Sequence, residues 1–335
     1  MRRVKSSATI LTFVFTIVLC VGATAMAQGQ ERVRELFGDP DFARGFQVTS
    51  ITEDPNFLGE LKLPFEGERA TEEPPLWGLA THASKYNIAK AKVVSNAKAA
   101  AASTPGQLIS RTKDESGGAT LKLGVMTENE YAAPRKADEH WIHLLLTRDF
   151  DVDDRVAFKD LESLVFSCDA RVEDVEMTDP NGVKNPDLHT TQASFYFALP
   201  NGNADSSDVG DYIWFGVSFY DERYEIQTDY VEVDGDPETI GTGKLIYRLG
   251  EQRTIDTFMD GVNPYHGEWV HVEFDLKKLL PDAIKAAHEK GFLLDSEPDD
   301  FVVAHFNFGW ETPGTYRSDL ELKKPKLLAT FREGE

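Results

Sequence analysis

The stretch Tyr212-Ile-Trp-Phe-Gly-Val-Ser-Phe-Tyr220 decides the fold, because it alternates strictly between two kinds of side chain. Every second residue of the stretch is apolar: Ile213, Phe215, Val217 and Phe219. The positions between them hold Tyr, Trp, Gly, Ser and Tyr. A period of two is typical of a β-strand that buries one face. The stretch therefore predicts a strand with one side in a core and the other side carrying aromatic and polar groups.

Further stretches on both sides of this one repeat the alternation and are separated by turn-forming clusters such as Asp179-Pro-Asn-Gly182. They are Leu121–Val125, Trp141–Arg148, Leu164–Val172, Gln192–Leu199, Leu245–Leu249, Trp269–Leu276, Val302–Trp310 and Asp319–Lys323. One short helix is predicted from Pro281 to Gly291, since Pro suits a first turn and Gly a helix end. Many strands with one helix predict an all-β, antiparallel β-sandwich.

The strands divide into a purely apolar face and a face of unusual composition. The predicted core includes Phe195, Phe197, Phe306 and Phe308, with Val302 and Ala304 on the same parity. The opposite faces hold Trp, Tyr, His, Asn and Gln, where a solvated face would be rich in Lys, Glu and Thr. Aromatic rings beside planar hydrogen-bonding groups suit sugars, whose C–H faces stack on rings.

This face is the predicted carbohydrate-binding site, and Arg223 at its rim is expected to donate a bidentate pair of hydrogen bonds to hydroxyls or to a carboxylate. Its candidate residues are Trp141, Gln192, Tyr196, Tyr212, Trp214, Arg223, His305 and Asn307. Two alternatives stay open for the same pattern. The face can be a second core beneath loops, and Arg223 can form an i, i+2 ion pair with Asp221 that fixes a strand end.

Charge limits the choice of partner. The chain has 57 acidic and 35 basic residues and a formal net charge of −22, which argues against nucleic acid and anionic membrane surfaces. A polysaccharide or oligosaccharide is the expected partner.

The N-terminus predicts export. Arg2, Arg3 and Lys5 precede an apolar run, and Ala25-Met-Ala27 is an A-x-A cleavage site, so residues 1–27 are interpreted as a signal peptide cleaved after Ala27. The expected location is secreted or periplasmic. Cleavage leaves Cys168 as the single cysteine, which cannot form an internal disulfide and lies on an apolar parity.

Regular alternation begins near Ala119. We therefore expect residues 28–118 to be an N-terminal segment that packs on the sandwich and residues 119–335 to be the sandwich domain. Residues 86–103 fit either a short helix or a strand with a loop, and residues 104–118 are interpreted as a connection.

Four segments resemble strands of bacterial exported jelly-roll sandwiches, the concanavalin-like lectin and glucanase domains and carbohydrate-binding modules. They are Trp141-Ile-His-Leu-Leu145, Trp214-Phe-Gly-Val-Ser-Phe-Tyr-Asp221, Trp269-Val-His-Val-Glu-Phe-Asp-Leu276 and Asp319-Leu-Glu-Leu-Lys-Lys324. The resemblance covers roughly residues 119–331 and is one of strand style without a diagnostic motif. It implies a sheet that holds a glycan and, in some members, a structural calcium ion.

Catalysis on this face stays open. A polysaccharide lyase needs an acid and a base beside a group that neutralises a carboxylate. The candidates are His143, His271, His305, Tyr196 and Glu273. A retaining glycoside hydrolase needs paired carboxylates, for which Glu232-Val-Asp-Gly-Asp236 comes nearest, and is the weaker of the two catalytic alternatives. A structural cell-surface interaction protein is a third possibility.

Metal signals are weak in the sequence. Acidic turns at Asp151–Asp154, Asp179–Asn181 and Asp234–Asp236 offer oxygen ligands of the kind calcium prefers, but none has EF-hand spacing.

Overall fold

The alternating stretches form strands of two packed sheets in the computed structural model of the protein. The structure describes residues 32–69, 71–132, 134–178, 185, 188–235 and 241–333. The expected signal peptide and the turn predicted at Asp179–Gly182 lie outside these residues.

The described strands and helices follow in chain order. The strands are β1 (Val33–Glu35), β2 (Phe46–Thr49), β3 (Phe57–Leu61), β4 (Trp77–Ala80), β5 (Val93–Ser95), β6 (Ala99–Ser103), β7 (Gln107–Lys113), β8 (Ala119–Met126), β9 (Ile142–Asp149), β10 (Leu161–Met177), β11 (Gln192–Pro200), β12 (Tyr212–Asp221), β13 (Tyr230–Val233), β14 (Leu245–Leu249), β15 (Val270–Asp275), β16 (His305–Thr312) and β17 (Tyr316–Phe331). The helices are α1 (Glu251–Phe258) and α2 (Leu276–Glu289).

Within the described ranges these strands make two sheets. The first sheet has the order β15-β10-β17-β8-β7-β6-β5, and β1 also pairs with β17. The second sheet has the order β13-β14-β12-β11-β16-β9-β4-β2-β3. Pairing is antiparallel except between β12 and β14 and between β2 and β4. The predicted class, an all-β antiparallel jelly-roll sandwich, is confirmed.

The core lies between the two sheets and is rich in phenylalanine. Phe166 of β10 meets Phe195, Phe197 and Phe306 of the second sheet, with ring centroids 5.1 to 5.7 Å apart. Phe195 and Phe308 stack at 3.8 Å. These rings are fully buried, so the predicted core parity of the central strands is correct.

The predicted core residues are wrong at the start of the stretch Val302–Trp310. Val302 and Ala304 were expected in the core, but the buried residues there are Phe301 and Val303. The regular strand β16 begins only at His305, so the alternation does not extend back through this irregular connection.

The N-terminal third, where the sequence shows little periodicity, supplies strands to both sheets. β5, β6 and β7 extend one side of the first sheet, and β2, β3 and β4 extend one side of the second. The connection expected over residues 104–118 therefore contains a strand, β7. Most of these strands have only three to five residues, which is too short for alternation to stand out.

The helices differ from expectation in extent. α2 begins at Leu276, ahead of Pro281, because the Asp275 side chain caps it by accepting from the Lys277 N–H at 3.1 Å. α1 follows Gly250 and was not predicted. No helix in the described part of the chain is both long and apolar enough to cross a membrane.

Candidate functional site

The face of the second sheet that points away from the core collects most of the predicted site residues. Strands β12, β11, β16 and β9 lie side by side there. Their residues form rows that run across the strands, because partners in register sit directly opposite one another. Three consecutive rows define the site.

The middle row is built from small side chains and is here called the trough. Register pairs join Ser218, Ser194, Gly309, Leu145 and Ala80 across five strands. Ser194 is only 4% exposed although it points away from the core. Apart from Leu145 the side chains of this row are smaller than those of the neighbouring rows, which shield it from solvent.

The row on one side of the trough is here called the Tyr196 row, and Gly216 shapes it. Tyr196 is in register with Gly216 on one strand and with Asn307 on the other, and Arg248 of β14 is in register with Gly216. A Cβ at Gly216 would lie 2.5 Å from the Tyr196 ring and 3.1 Å from Arg248 Cγ. Glycine therefore leaves the space in which the tyrosine ring and the arginine stem lie over the sheet.

Burial dominates the ionisation of Tyr196. It raises the pKa of the phenol to about 12, helped by the negative charge of Glu311 and opposed by Arg248. The Arg248 guanidinium lies 5.2 Å from the centre of the Tyr230 ring, a cation–π arrangement that supports it from the other side.

Next to the Tyr196 row lies an aromatic group here called the Trp214 cluster. The rings of Tyr196, Tyr212 and His305 meet Trp214 edge-on, with centroids 5.6 to 6.3 Å away. The indole Nε1–H donates to Thr242 Oγ1 at 3.3 Å, which fixes the ring plane.

His305 is oriented by a carboxylate. Its Nδ1 lies 2.6 Å from Asp149 Oδ1, and its Nε2 lies 3.4 Å from the Asn307 amide nitrogen. The hydrogen bond with His305 lowers the pKa of Asp149. The imidazole is thus held in place between β9 and β16.

The row on the other side of the trough is here called the Glu311 row and is a continuous line of polar contacts. Arg223 makes a bidentate pair with Asp221, at 2.9 and 2.6 Å. Its Nη2 also donates to Gln192 Oε1 at 3.1 Å, and Gln192 Nε2 donates to Glu311 Oε2 at 2.8 Å. His143 Nε2 lies 3.6 Å from the other Glu311 oxygen. These contacts fix the Gln192 amide and aim Glu311 at His143.

The charges in the Glu311 row are strongly perturbed. Burial alone would raise the pKa of Glu311, but the contact with His143 and the Gln192 amide outweigh it and lower that pKa. His82, whose ring centroid is 5.5 Å from that of His143, has its pKa lowered to about 3 by burial and by His143. The Ile51 N–H donates to His82 Nδ1 at 3.1 Å, so His82 is held neutral near pH 7.

The structure brings most of the predicted binding residues onto this one face. It gathers Gln192, Tyr196, Tyr212, Trp214, Arg223, His305 and Asn307, together with the catalytic candidate His143. Trp141 lies one residue before β9 and is half-buried. The ion-pair alternative for Arg223 is also observed, since the same guanidinium binds both Asp221 and Gln192.

Two catalytic candidates are placed elsewhere. His271 and Glu273 lie on β15, which belongs to the first sheet. There His271 Nδ1 lies 2.8 Å from Asp169 Oδ1, on a face of ion pairs such as Arg171–Glu321. Grouping them with His143 and His305 was wrong, because alternation shows that a residue faces outward but not from which sheet.

A register shift between β11 and β12 places Tyr220 in the core and not on the outward face. Between Ala193 and Ser194 the pairing with β12 skips one position, so Asp221 sits opposite Gln192 and Tyr220 opposite Ala193. Tyr220 therefore joins the core beside Trp310, at 6.0 Å, although its parity in the sequence placed it with Tyr212.

Sequence reasoning missed Glu311, Arg248, His82 and Asp149. Glu311 continues the alternation of His305 and Asn307 and could have been found by extending that strand by one residue. His82 comes from the N-terminal third, where no pattern pointed to a face. Arg248 lies within the predicted strand Leu245–Leu249 and Asp149 directly follows the predicted strand Trp141–Arg148, and neither residue carried a signal of its own.

The paired carboxylates expected of a retaining glycosidase are not found at the predicted motif. Glu232 is exposed and binds Lys290 at 3.1 Å, Asp234 binds Thr242, and Asp236 lies outside the described residues. In the described ranges no group of three or more His, Cys, Asp or Glu side chains is arranged to hold a metal ion. Cys168 is buried and unpaired, as its parity predicted.

Comparison with known proteins gives distant likenesses only. No family model matches the sequence, and no curated protein matches it. Among solved structures, the family 12 xyloglucanase from Bacillus licheniformis is 9% identical, with a TM-score of 0.40 over 72% of this chain and 98% of that one. The Trichoderma harzianum endoglucanase 3 from family GH12 is 10% identical, with a TM-score of 0.35 over 79% of this chain and 100% of that one.

A third solved structure, the family 11 xylanase from Neocallimastix patriciarum, is 9% identical, with a TM-score of 0.32 over 70% of this chain and 96% of that one. The two sheets of this chain agree with the sandwich expected from its strand style, and these comparisons name no subfamily. Likenesses this distant say nothing about activity, which the side chains of this chain must decide.

Proposed function

We propose that this protein is exported and that it binds a polysaccharide chain in the trough of its second sheet. The observation that carries the proposal is a set of buried polar atoms without partners around that trough. Ser194 Oγ and His143 Nδ1 have no hydrogen-bond partner in the described residues. An unpaired buried polar atom costs about 1–3 kcal/mol, which sugar hydroxyls would offset once the side chains that cover these atoms shift aside.

The surroundings suit the same ligand. The Trp214 cluster offers ring surface beside one row, and the Glu311 row offers hydrogen-bonding groups of fixed orientation on the other side. Sugars combine apolar C–H faces with hydroxyls, so they match a site that alternates rings with planar polar groups.

The test uses the mature protein, a panel of polysaccharides and a matched pair of tryptophan variants. Trp214→Ala should weaken binding about 10- to 100-fold, because a buried aromatic contact contributes on the order of 1–3 kcal/mol and 1.4 kcal/mol is tenfold. Trp269→Ala is the control. Trp269 lies on the outer face of the first sheet, under Arg171 and Lys323.

Affinity electrophoresis or calorimetry measures the change. Equal losses for the two variants would show that the trough is not the binding site. Failure of the wild-type protein to bind any polymer would refute the function itself.

A second candidate is a polysaccharide lyase acting in the same trough, favoured by the contact between Glu311 and His143 opposite Tyr196. In β-elimination a base removes the proton next to a uronate carboxylate, the glycosidic C–O bond breaks, and an acid protonates the leaving oxygen. His143, oriented by Glu311, and Tyr196 would share these proton transfers.

Turnover separates the two candidates. The absorbance of unsaturated uronate ends is followed for the wild-type protein and for Tyr196→Phe and His143→Gln. A lyase requires that absorbance to rise with the wild-type protein. It also requires both variants to lose the rise while they keep polymer binding. Binding without any new absorbance would leave the protein a binding module.

A further inference from the structure

Arg248 is an arginine without an anionic partner in a strongly acidic protein. With 57 acidic residues against 35 basic ones, a carboxylate is available to most arginines. On the same face Arg223 is saturated by Asp221 and Gln192. Arg248 has no carboxylate oxygen within 4.0 Å among the described residues, and its half-buried side chain keeps Nε buried and unpaired.

The position of Arg248 is set from three sides. Its stem crosses over Gly216, the Tyr230 ring supports the guanidinium, and Tyr196 lies on the far side of Gly216. The positive charge acts on the Tyr196 phenol and on Glu311. Arg248 therefore reaches from β14 towards the trough.

Glu311, a negative group on which this charge acts, is already engaged. Glu311 accepts from the Gln192 amide at 2.8 Å and faces His143 at 3.6 Å. Its charge is thus shared along its own row, on the other side of the trough. Arg248 also acts on the Tyr196 phenol as a hydrogen-bond donor, but its Nε is unpaired and no carboxylate of the described residues engages the guanidinium, so it can still receive a carboxylate that enters beside Tyr196.

A guanidinium binds carboxylates through two parallel N–H···O bonds, in a geometry that a sugar hydroxyl cannot reproduce. The net charge of −22 repels polyanions at long range, so a polyanion needs a local cation where it binds. From this geometry, and resting on the proposed function, we infer that the polysaccharide is a polyuronate and that Arg248 binds the carboxylate of the sugar unit that lies against Tyr196.

The experiment compares each polymer with its own neutral form. The mature protein is titrated with alginate, polygalacturonate and glucuronan, and with the same polymers after their carboxyl groups have been reduced to alcohols. Carrageenan, which carries sulfate esters, and neutral xylan complete the set. We expect one polyuronate to bind and its reduced form to bind at least 10-fold more weakly.

Two variants assign that preference to Arg248. Arg248→Gln should weaken binding of the polyuronate about 10- to 100-fold and change binding of the reduced polymer less than about threefold. Arg248→Lys keeps the charge but loses the fork, and should fall between Arg248→Gln and the wild type. Arg317→Gln is the control, because Arg317 is exposed and pairs with Glu128 on the first sheet. Urea unfolding of each variant checks that the fold is retained.

The outcomes separate the inference from the proposed function. Equal binding of charged and reduced polymers, or equal losses for both in Arg248→Gln, overturns the inference and leaves polysaccharide binding standing. Preference for carrageenan overturns the carboxylate assignment in favour of sulfate. If no polymer binds, charged or neutral, the proposed function fails and the inference fails with it.

Discussion

Phe215 and Trp214 are neighbours in the chain but should respond very differently to truncation. Phe215 is 0% exposed, between Ile213 and Val217, and its ring packs against that of Tyr247 at 5.8 Å. Phe215→Ala should lower the free energy of unfolding by about 3–5 kcal/mol, as is usual for removing a buried ring. With an m-value of about 3 kcal/mol per molar urea, the unfolding midpoint falls by about 1–1.7 M.

Trp214 lies on the other face and is half-buried, and among the described residues its aromatic contacts are those of the Trp214 cluster. Edge-on aromatic pairs contribute about 0.5–1.5 kcal/mol each, and this ring has three of them. Because solvent already reaches part of the ring, we expect Trp214→Ala to cost about 1.5–3 kcal/mol, in the lower part of the range that the three pairs allow. Urea unfolding followed by circular dichroism measures both variants in the same buffer.

The comparison tests the assignment of the two faces directly. If Trp214→Ala costs as much as Phe215→Ala, the trough face is a second core and not a binding surface. If Phe215→Ala leaves the midpoint unchanged, the parity of β12 is reversed. Equal m-values for the two variants would show that both changes act on the folded state.

Three further predictions follow from single contacts. Gly216→Ala should cost about 1–3 kcal/mol as an overpacked site, because the new Cβ would lie 2.5 Å from the Tyr196 ring; urea unfolding equal to wild type would show that the ring lies elsewhere. The pKa of His82 is lowered from 6.5 to about 3 in the folded protein. Between these two pH values the unfolded chain therefore binds a proton that the folded protein does not. The free energy of unfolding should fall as the pH drops below about 6.5, by up to about 1.4 kcal/mol per pH unit. Denaturation between pH 7 and 4 should show a shallower acid loss in His82→Asn than in the wild type or the outer-face control His271→Asn, and parallel curves for all three would contradict the assignment. Asp275→Ala removes a side chain that accepts from two backbone N–H groups and caps α2, so it should lower the free energy of unfolding by about 1 kcal/mol. Asp275→Asn can still accept these hydrogen bonds and should retain most of that stability in thermal unfolding. An equal loss of stability in the two variants would exclude the cap as the cause.

Much of the candidate site follows from alternation alone. From Tyr212 to Phe219 the strand containing Trp214 was predicted with the correct faces, because adjacent side chains of a regular strand point to opposite sides whatever the strand pairs with. The same local rule placed Tyr196, His305 and Asn307 on an outward face. These residues needed no knowledge of their neighbours.

Alternation fails where the strand is not regular. The register shift beside Ala193 turns Tyr220 into the core and sets Asp221 opposite Gln192. Such a bulge depends on how two strands pair, and a single strand does not reveal it. The line of contacts from Arg223 to Glu311 exists only because of this shift.

Two segments of the chain separate what the sequence determined from what the tertiary structure decided. Trp141-Ile-His143 and Trp269-Val-His271 share one pattern, and the sequence determined for both that the histidine faces away from the core. Only the tertiary structure decided that His143 meets Glu311 beside the trough while His271 meets Asp169 on a face of ion pairs. The direction of a side chain is a local property of an extended backbone, whereas its neighbours depend on which strands, distant in the chain, pair with its own.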